Sequence, residues 1–152
     1  MRGGLLPEIE QLASKGCPIN GRLFIAEDTP MIGYHHILID AFLEQARESR
    51  GLNPIGSTGT GISPAYSTVP LRNDVSIASA LRNPDEYFRS MHAEWMPYAQ
   101  YFPHISIYIL IEKQRDQIEK LRTLLKNGTI KIGDERAKID KLRKEKKSIV
   151  GE

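Results

Sequence analysis

The chain has 152 residues, 40% of them hydrophobic and 26% charged, with a formal net charge of +2. That composition, with a mean hydropathy of −0.37, suits one ordinary globular domain and excludes a disordered or collagen-like chain. No apolar run approaches the roughly 18 residues of a membrane span, and residues 1–8 lack the apolar core of a signal peptide. The single cysteine, Cys17, leaves no intramolecular disulfide and no Cys-rich zinc site. The expectation is a soluble, cytoplasmic protein.

In chain order, Pro7 at a first helical position, Glu8 and Glu10 in the first turn, and the stripe Ile9, Leu12, Ala13 predict a short helix that Gly16 ends. Arg22 to Ala26 reads as a short buried strand. A second helix is predicted from Tyr34 to Glu48, its inner face made of Ile37, Leu38, Ala41, Phe42 and Gln45, and closed by Gly51. Residues 51–74 form a long Gly/Ser/Thr/Pro segment with almost no periodicity, the kind of loop that is usually functional or disordered. Asn83-Pro84-Asp85-Glu86 starts a helix with an N-cap, a proline and acids at the positive dipole end. Its stripe is Tyr87, Phe88, Met91 and Trp95, and Pro97 interrupts it. Ile105 to Gly128 carries Ile111, Ile118, Leu121 and Leu125 on one helical face, although the alternation of Ile105, Ile107, Ile109 and Ile111 leaves a strand open at its start. Asp134 caps a last charged helix, so residues 84–147 read as a helical segment. Ser148 to Glu152 resembles the beginning of another buried strand. Two strands so far apart do not make a sheet, and residues 1–152 are therefore expected to be an incomplete single domain, an internal piece of a larger protein.

Charge is uneven: residues 112–147 hold 13 Lys/Arg against 7 Asp/Glu. The signs interleave, however, with pairs such as Asp116 and Lys120 four apart, which is the pattern of a solvated helix face rather than a nucleic-acid tail. The aromatic stripe lacks the interleaved basic residues of a single-strand platform. Neighbouring His35 and His36 point about 100° apart on a helix, which favours a structural role over a shared metal. Cys17, before Pro18, has no activating neighbour. The informative stretch is Gly56-Ser57-Thr58-Gly59-Thr60-Gly61-Ile62-Ser63, whose small residues and hydroxyls suit the close approach of an anion. It imitates a nucleotide-binding P-loop, but Ile62 stands where the lysine must be.

These residues carry a resemblance to the adenylosuccinate synthetase family. Arg22-Leu23-Phe24-Ile25-Ala26-Glu27, Tyr34-His35, Asp40 and Ala46-Arg47 are similar to successive family segments. The family's signature loop, usually Ile-Gly-Thr-Thr-Gly-Arg-Gly-Ile-Gly-Pro-Ala-Tyr, corresponds to Ile55 through Tyr66, and Val150-Gly151-Glu152 resembles the start of its Glu-Gly-Ala-Gln-Gly turn. The resemblance implies an α/β fold of which this is a mainly helical middle segment, with one or two strands of a large, mostly parallel sheet. It implies a ligase that joins L-aspartate to the 6-oxo carbon of IMP, using GTP (or ATP) and Mg2+ in the complete enzyme. The family's phosphate loop and catalytic Asp and His lie upstream, so this chain alone is expected to be inactive, with no catalytic or metal-binding residue and no cofactor bound by itself.

What carries over is the substrate-phosphate loop within residues 51–74. Thr58 matches the threonine that hydrogen-bonds the nucleotide 5′-phosphate, with Gly56, Ser57 and Gly59 around it. Arg72 matches the arginine that crosses a homodimer interface to the other subunit's nucleotide; a surface ion pair with Asp74 is its plainer role. Thr60 replaces the family's arginine, Ser63 replaces a glycine, and no Lys or Arg occurs from Ser67 to Leu71. Two alternatives follow: a 2-aminoadenylosuccinate synthase acting on dGMP, and, in another class, a non-catalytic helical interaction or anion-binding protein. Neither a membrane nor a nucleic acid is expected as a partner.

Overall fold

The computed structural model describes residues 4–17, 19–69 and 76–133. They belong to two compact units, one made of residues up to Thr29 and from Thr123, the other of Pro30–Arg122. Arg72, the helix expected from Asp134 and the strand expected from Ser148 to Glu152 lie outside the described residues. No helix among the described residues is long and apolar enough to cross a membrane.

The first unit contains α1 (Leu5–Ser14), β1 (Leu23–Ala26) and β2 (Ile130–Gly133). The strands pair in parallel, Leu23 opposite Ile130 through Ala26 opposite Gly133. A parallel pair needs a long connection, and here residues 27–129 lie between the strands in the chain. β1 starts one residue later than expected, and Phe24 is 48% exposed, so it is not a buried run. Among the described residues β1 pairs with β2, and Lys131 Nζ sits 5.1 Å from the Phe24 ring. β2 was not foreseen: four residues, two of them Ile between Lys and Gly, are too few to establish a period.

The second unit contains α2 (Tyr34–Glu48), α3 (Ile62–Ser67), α4 (Ile77–Arg82), α5 (Pro84–Ala99) and most of α6 (Ile107–Lys126). Its core holds Trp95, Tyr87, Met91 and Ile118, all essentially inaccessible, with Phe88, Leu110 and Leu121. Burying such a side chain contributes about 1.5–3 kcal/mol. The Asn83 side chain accepts the Glu86 N–H, and the predicted stripe of α5 is the buried one. Pro97 does not stop α5 at once; the helix runs two residues further, to Ala99, without the bond that an N–H at this position would give the carbonyl four residues earlier. Gly51, at φ 70°, closes α2 with its N–H on the Glu48 carbonyl and that of Leu52 on Arg47. This left-handed cap strongly favours glycine.

Three expectations are corrected. The buried residues of α2 are His35, His36, Ile39 and Asp40, whereas Ala41 and Gln45 are exposed. The helix has turned a polar stripe inward because polar partners await it there. The 51–74 segment is not wholly irregular: α3 occupies Ile62–Ser67, with Pro64 in the first turn, where its missing N–H costs nothing. α4 follows behind a Ser76 N-cap that accepts the Ser79 N–H. Finally, α6 is helical from Ile107, with no strand before it. Its buried row is Ile107, Leu110, Gln114, Ile118 and Leu121, while Leu125 is exposed. The described residues are thus α/β and mainly helical, with a two-stranded parallel sheet.

Candidate functional site

The glycine loop lies between α2 and α3, and two carboxylates one turn apart on α2 hold it. Asp40, 5% exposed, accepts the Ser57 hydroxyl at 2.7 Å and the Gly61 N–H at 3.0 Å, both on Oδ2. Glu44 Oε1 accepts the Gly56 N–H at 2.7 Å and the Ser57 N–H at 3.3 Å. The Gly56 N–H is the main reason its carboxyl is held below the usual carboxylate range; slight desolvation works against it.

Gly61 seats the loop. Its φ is 78°, and a Cβ there would lie 2.8 Å from the Ile37 nitrogen and 2.9 Å from the His36 carbonyl carbon. Both the left-handed backbone and the close approach demand glycine. The residues between these anchors are exposed. The Thr58 and Thr60 hydroxyls are 2.7 Å apart, and the Gly59 N–H donates to Ser57 Oγ at 3.1 Å. Of the predicted site residues, Gly56, Ser57 and Gly59 therefore have backbone N–H groups engaged within the protein, and Thr58 stands at the tip. In the sequence Asp40 is a position that matches the family segments, and Glu44 carries no such match. Their i, i+4 spacing before a glycine loop was the available signal.

A second polar cluster lies at the start of α2. Nε2 of His35 and Nε2 of His36 are each 2.9 Å from Glu94 Oε2 on α5. Sequence reasoning expected adjacent histidines to diverge. Instead the rings stack obliquely, centroids 3.8 Å apart, and both reach the same oxygen because each imidazole extends well beyond its Cβ. The Gly33 N–H donates to His36 Nδ1 at 2.9 Å, the half of a capping box in which the third helical side chain reaches back. That bond leaves the proton of neutral His36 on Nε2, as a donor to Glu94.

Burial presses the Glu94 carboxyl upward, but hydrogen bonds from His35 and His36 and their charge outweigh it and hold it at about 2. Burial pushes His35 below its ordinary value despite the carboxylate beside it. His35 Nδ1, the Tyr87 hydroxyl, Glu94 Oε1 and Gln114 Nε2 are buried without a hydrogen-bond partner.

The three ligand atoms lie within 4.8 Å of one another, close enough for one cation. The surroundings are those of a hydrogen-bonded cluster instead. A metal-bound imidazole donates its other ring N–H to an oxygen, whereas His36 Nδ1 accepts an N–H. On the outer face of α6, Lys120–Asp116 and Arg122–Glu119 pair at 2.9 and 2.8 Å, the solvated arrangement that the interleaved charges predicted. Such pairs contribute a few tenths of a kcal/mol. Cys17 is exposed, its thiol 3.9 Å from the Lys15 carbonyl oxygen.

A family model described as adenylosuccinate synthetase matches residues 3–152. The adenylosuccinate synthetase of Vibrio parahaemolyticus is 30% identical over 146 residues, which cover 91% of this chain and 32% of that protein. That of Methylibium petroleiphilum is 39% identical over 87 residues, 57% of this chain and 19% of that protein. That of Paraburkholderia phymatum is 45% identical over 74 residues, 48% of this chain and 16% of that protein. The chain thus spans between a sixth and a third of the length of these relatives. With a family match over almost its whole length, this chain belongs to the adenylosuccinate synthetase family.

Proposed function

We propose that this chain carries the nucleotide-phosphate loop of a purine-nucleotide ligase, as an internal segment of it. That enzyme joins L-aspartate to the 6-oxo carbon of IMP with GTP hydrolysis, which is adenylosuccinate synthesis. The observation that supports this reading most is the loop from Ile55 to Tyr66, in which the exposed Thr58 hydroxyl stands at the tip between two anchored ends. The Thr58 hydroxyl donates to a phosphate oxygen, and Gly56, Ser57 and Gly59 shape the loop around it. Arg72 adds a charge-assisted contact to the nucleotide of a second copy in a cytoplasmic homodimer. Holding the phosphate, remote from the reacting carbon, orients the purine for the chemistry.

The complete ligase uses Mg2+ and GTP, and the described residues do not fit the ion. Mg2+ takes oxygen ligands in octahedral array, whereas the one described three-ligand cluster offers two imidazole nitrogens and a carboxylate oxygen.

The test exchanges residues 3–152 for the matching segment of the Vibrio parahaemolyticus enzyme and assays aspartate-dependent adduct formation on IMP, with dGMP in parallel. Adduct on IMP supports the reading, and adduct on dGMP alone moves it to the 2-aminoadenylosuccinate branch. Absence of both adducts refutes it, and steep, salt-dependent binding of polyanions by the chain would then favour an anion-binding protein. In an active chimera, Thr58→Ala raises KM for the nucleotide about tenfold, the loss of one hydrogen bond to a charged group.

A further inference from the structure

The loop's anchoring carries a sharper assignment, which rests on the nucleotide-phosphate reading above. In a loop that recognises an anion through its backbone, the N–H groups point at the ligand. Here those at its base already meet carboxylates: Gly56 and Ser57 donate to Glu44, and Gly61 donates to Asp40. Asp40 also takes the Ser57 hydroxyl. Between these anchors only Thr58, Gly59 and Thr60 remain. The Gly59 N–H is turned inward onto Ser57 Oγ, and the two threonine hydroxyls meet each other.

We propose that Asp40 and Glu44, one turn apart on α2, are positioning residues that clamp the base of the loop and thereby present the Thr58 and Thr60 hydroxyls together to the nucleotide phosphate. Neither carboxylate touches the ligand. Both act through the loop, and both place negative charge near an anion, a cost offset by the fixed loop geometry. Thr60 gains a role from the same geometry. It replaces a long cationic side chain with a second short donor beside Thr58, so the phosphate is met by a hydroxyl pair.

The arrangement separates two properties of the carboxylates. Their oxygen acceptors hold the loop, whereas their charge repels the phosphate. Amide variants keep an acceptor and remove the charge; alanine variants remove both. The test follows amide hydrogen exchange of Gly56, Ser57 and Gly61 in the full chain without ligand, and then titrates IMP, dGMP and inorganic phosphate separately into the chimera that carries residues 3–152. Glu44→Ala is expected to release the Gly56 and Ser57 amides, and Asp40→Ala the Gly61 amide. Each weakens IMP binding, by severalfold for Glu44→Ala and about tenfold for Asp40→Ala. Glu44→Gln and Asp40→Asn keep the amides protected and bind IMP at least as tightly as the parent, a rescue that a mere need for negative charge would not produce. Because Asp40 is buried, Ser57→Ala serves as the second variant on the same contact. It deletes the hydroxyl donor from an exposed residue and is expected to accelerate Gly61 exchange.

Parent-like exchange and IMP affinity in Glu44→Ala and Ser57→Ala would overturn the clamp and leave the nucleotide reading standing. A chimera carrying residues 3–152 in the Vibrio parahaemolyticus enzyme that binds none of the three probes would overturn the nucleotide reading, and with it the ligand role given to Thr58 and Thr60. The exchange pattern would still decide whether the carboxylates hold the loop.

Discussion

Glu94→Gln tests the buried cluster directly. Glu94 Oε2 accepts both imidazole N–H groups at 2.9 Å, and its side chain is 10% exposed. Glutamine offers one carbonyl oxygen in the same place but no charge, so two charge-assisted hydrogen bonds become neutral ones. At about 1 kcal/mol lost per bond, the variant should be about 2 kcal/mol less stable at pH 7. The pH dependence supplies an independent value. Glu94 is held at about 2, against 4.5 for an ordinary glutamate, so between those values the unfolded chain binds the additional proton and stability rises with pH. Its contribution is complete above pH 4.5 and is lost as pH falls toward 2. The full difference corresponds to roughly 3 kcal/mol, which the partial burial of the residue as a whole reduces to about 2 kcal/mol. His35, pushed below 6.5 by burial, works in the same direction but begins nearer neutrality, because the unfolded chain takes that proton first. Urea unfolding followed by circular dichroism at pH 7, 5 and 3 measures both effects. The parent should lose stability through the acid range, and Glu94→Gln should start lower and lose less between pH 5 and 3. A variant as acid-sensitive as the parent would refute the assignment.

Gly61→Ala should cost at least about 2 kcal/mol and detach the loop from α2, since a Cβ there combines a positive φ with overlap on the Ile37 backbone; denaturation and amide exchange of the loop would measure it. Met91→Ala removes a fully buried side chain from the core and should cost about 3 kcal/mol in the same urea titration, without altering the acid dependence assigned to Glu94. Added Zn2+ should leave the unfolding midpoint unchanged, whereas a site filled at a hundred times its Kd would add about 2.7 kcal/mol. A stabilisation by Zn2+ that disappears in Glu94→Gln would overturn the proton placement on His36.

What could be read in advance was local. The Asn83-Pro84 start of α5, the glycine that closes α2 and the buried stripe of α5 follow from capping, left-handed backbone and a 3.6-residue period, each contained within a few neighbouring residues. The loop was likewise legible as a motif, since small residues and hydroxyls in succession are a property of the chain itself.

The tertiary structure decided the rest, wherever a residue's role depends on a distant partner. α2 turns His35, His36 and Asp40 inward because Glu94 lies 58 and 59 residues away from the histidines and Ser57 and Gly61 lie 17 and 21 from Asp40. A hydrophobic pattern places polar residues outside, and only a satisfied hydrogen bond brings them in. β2 exists because β1 supplies its ladder from across more than a hundred residues. The sequence by itself determined the span of α2, the start of α5 and the family; three-dimensional packing determined that two carboxylates hold the loop's base and leave its hydroxyls exposed.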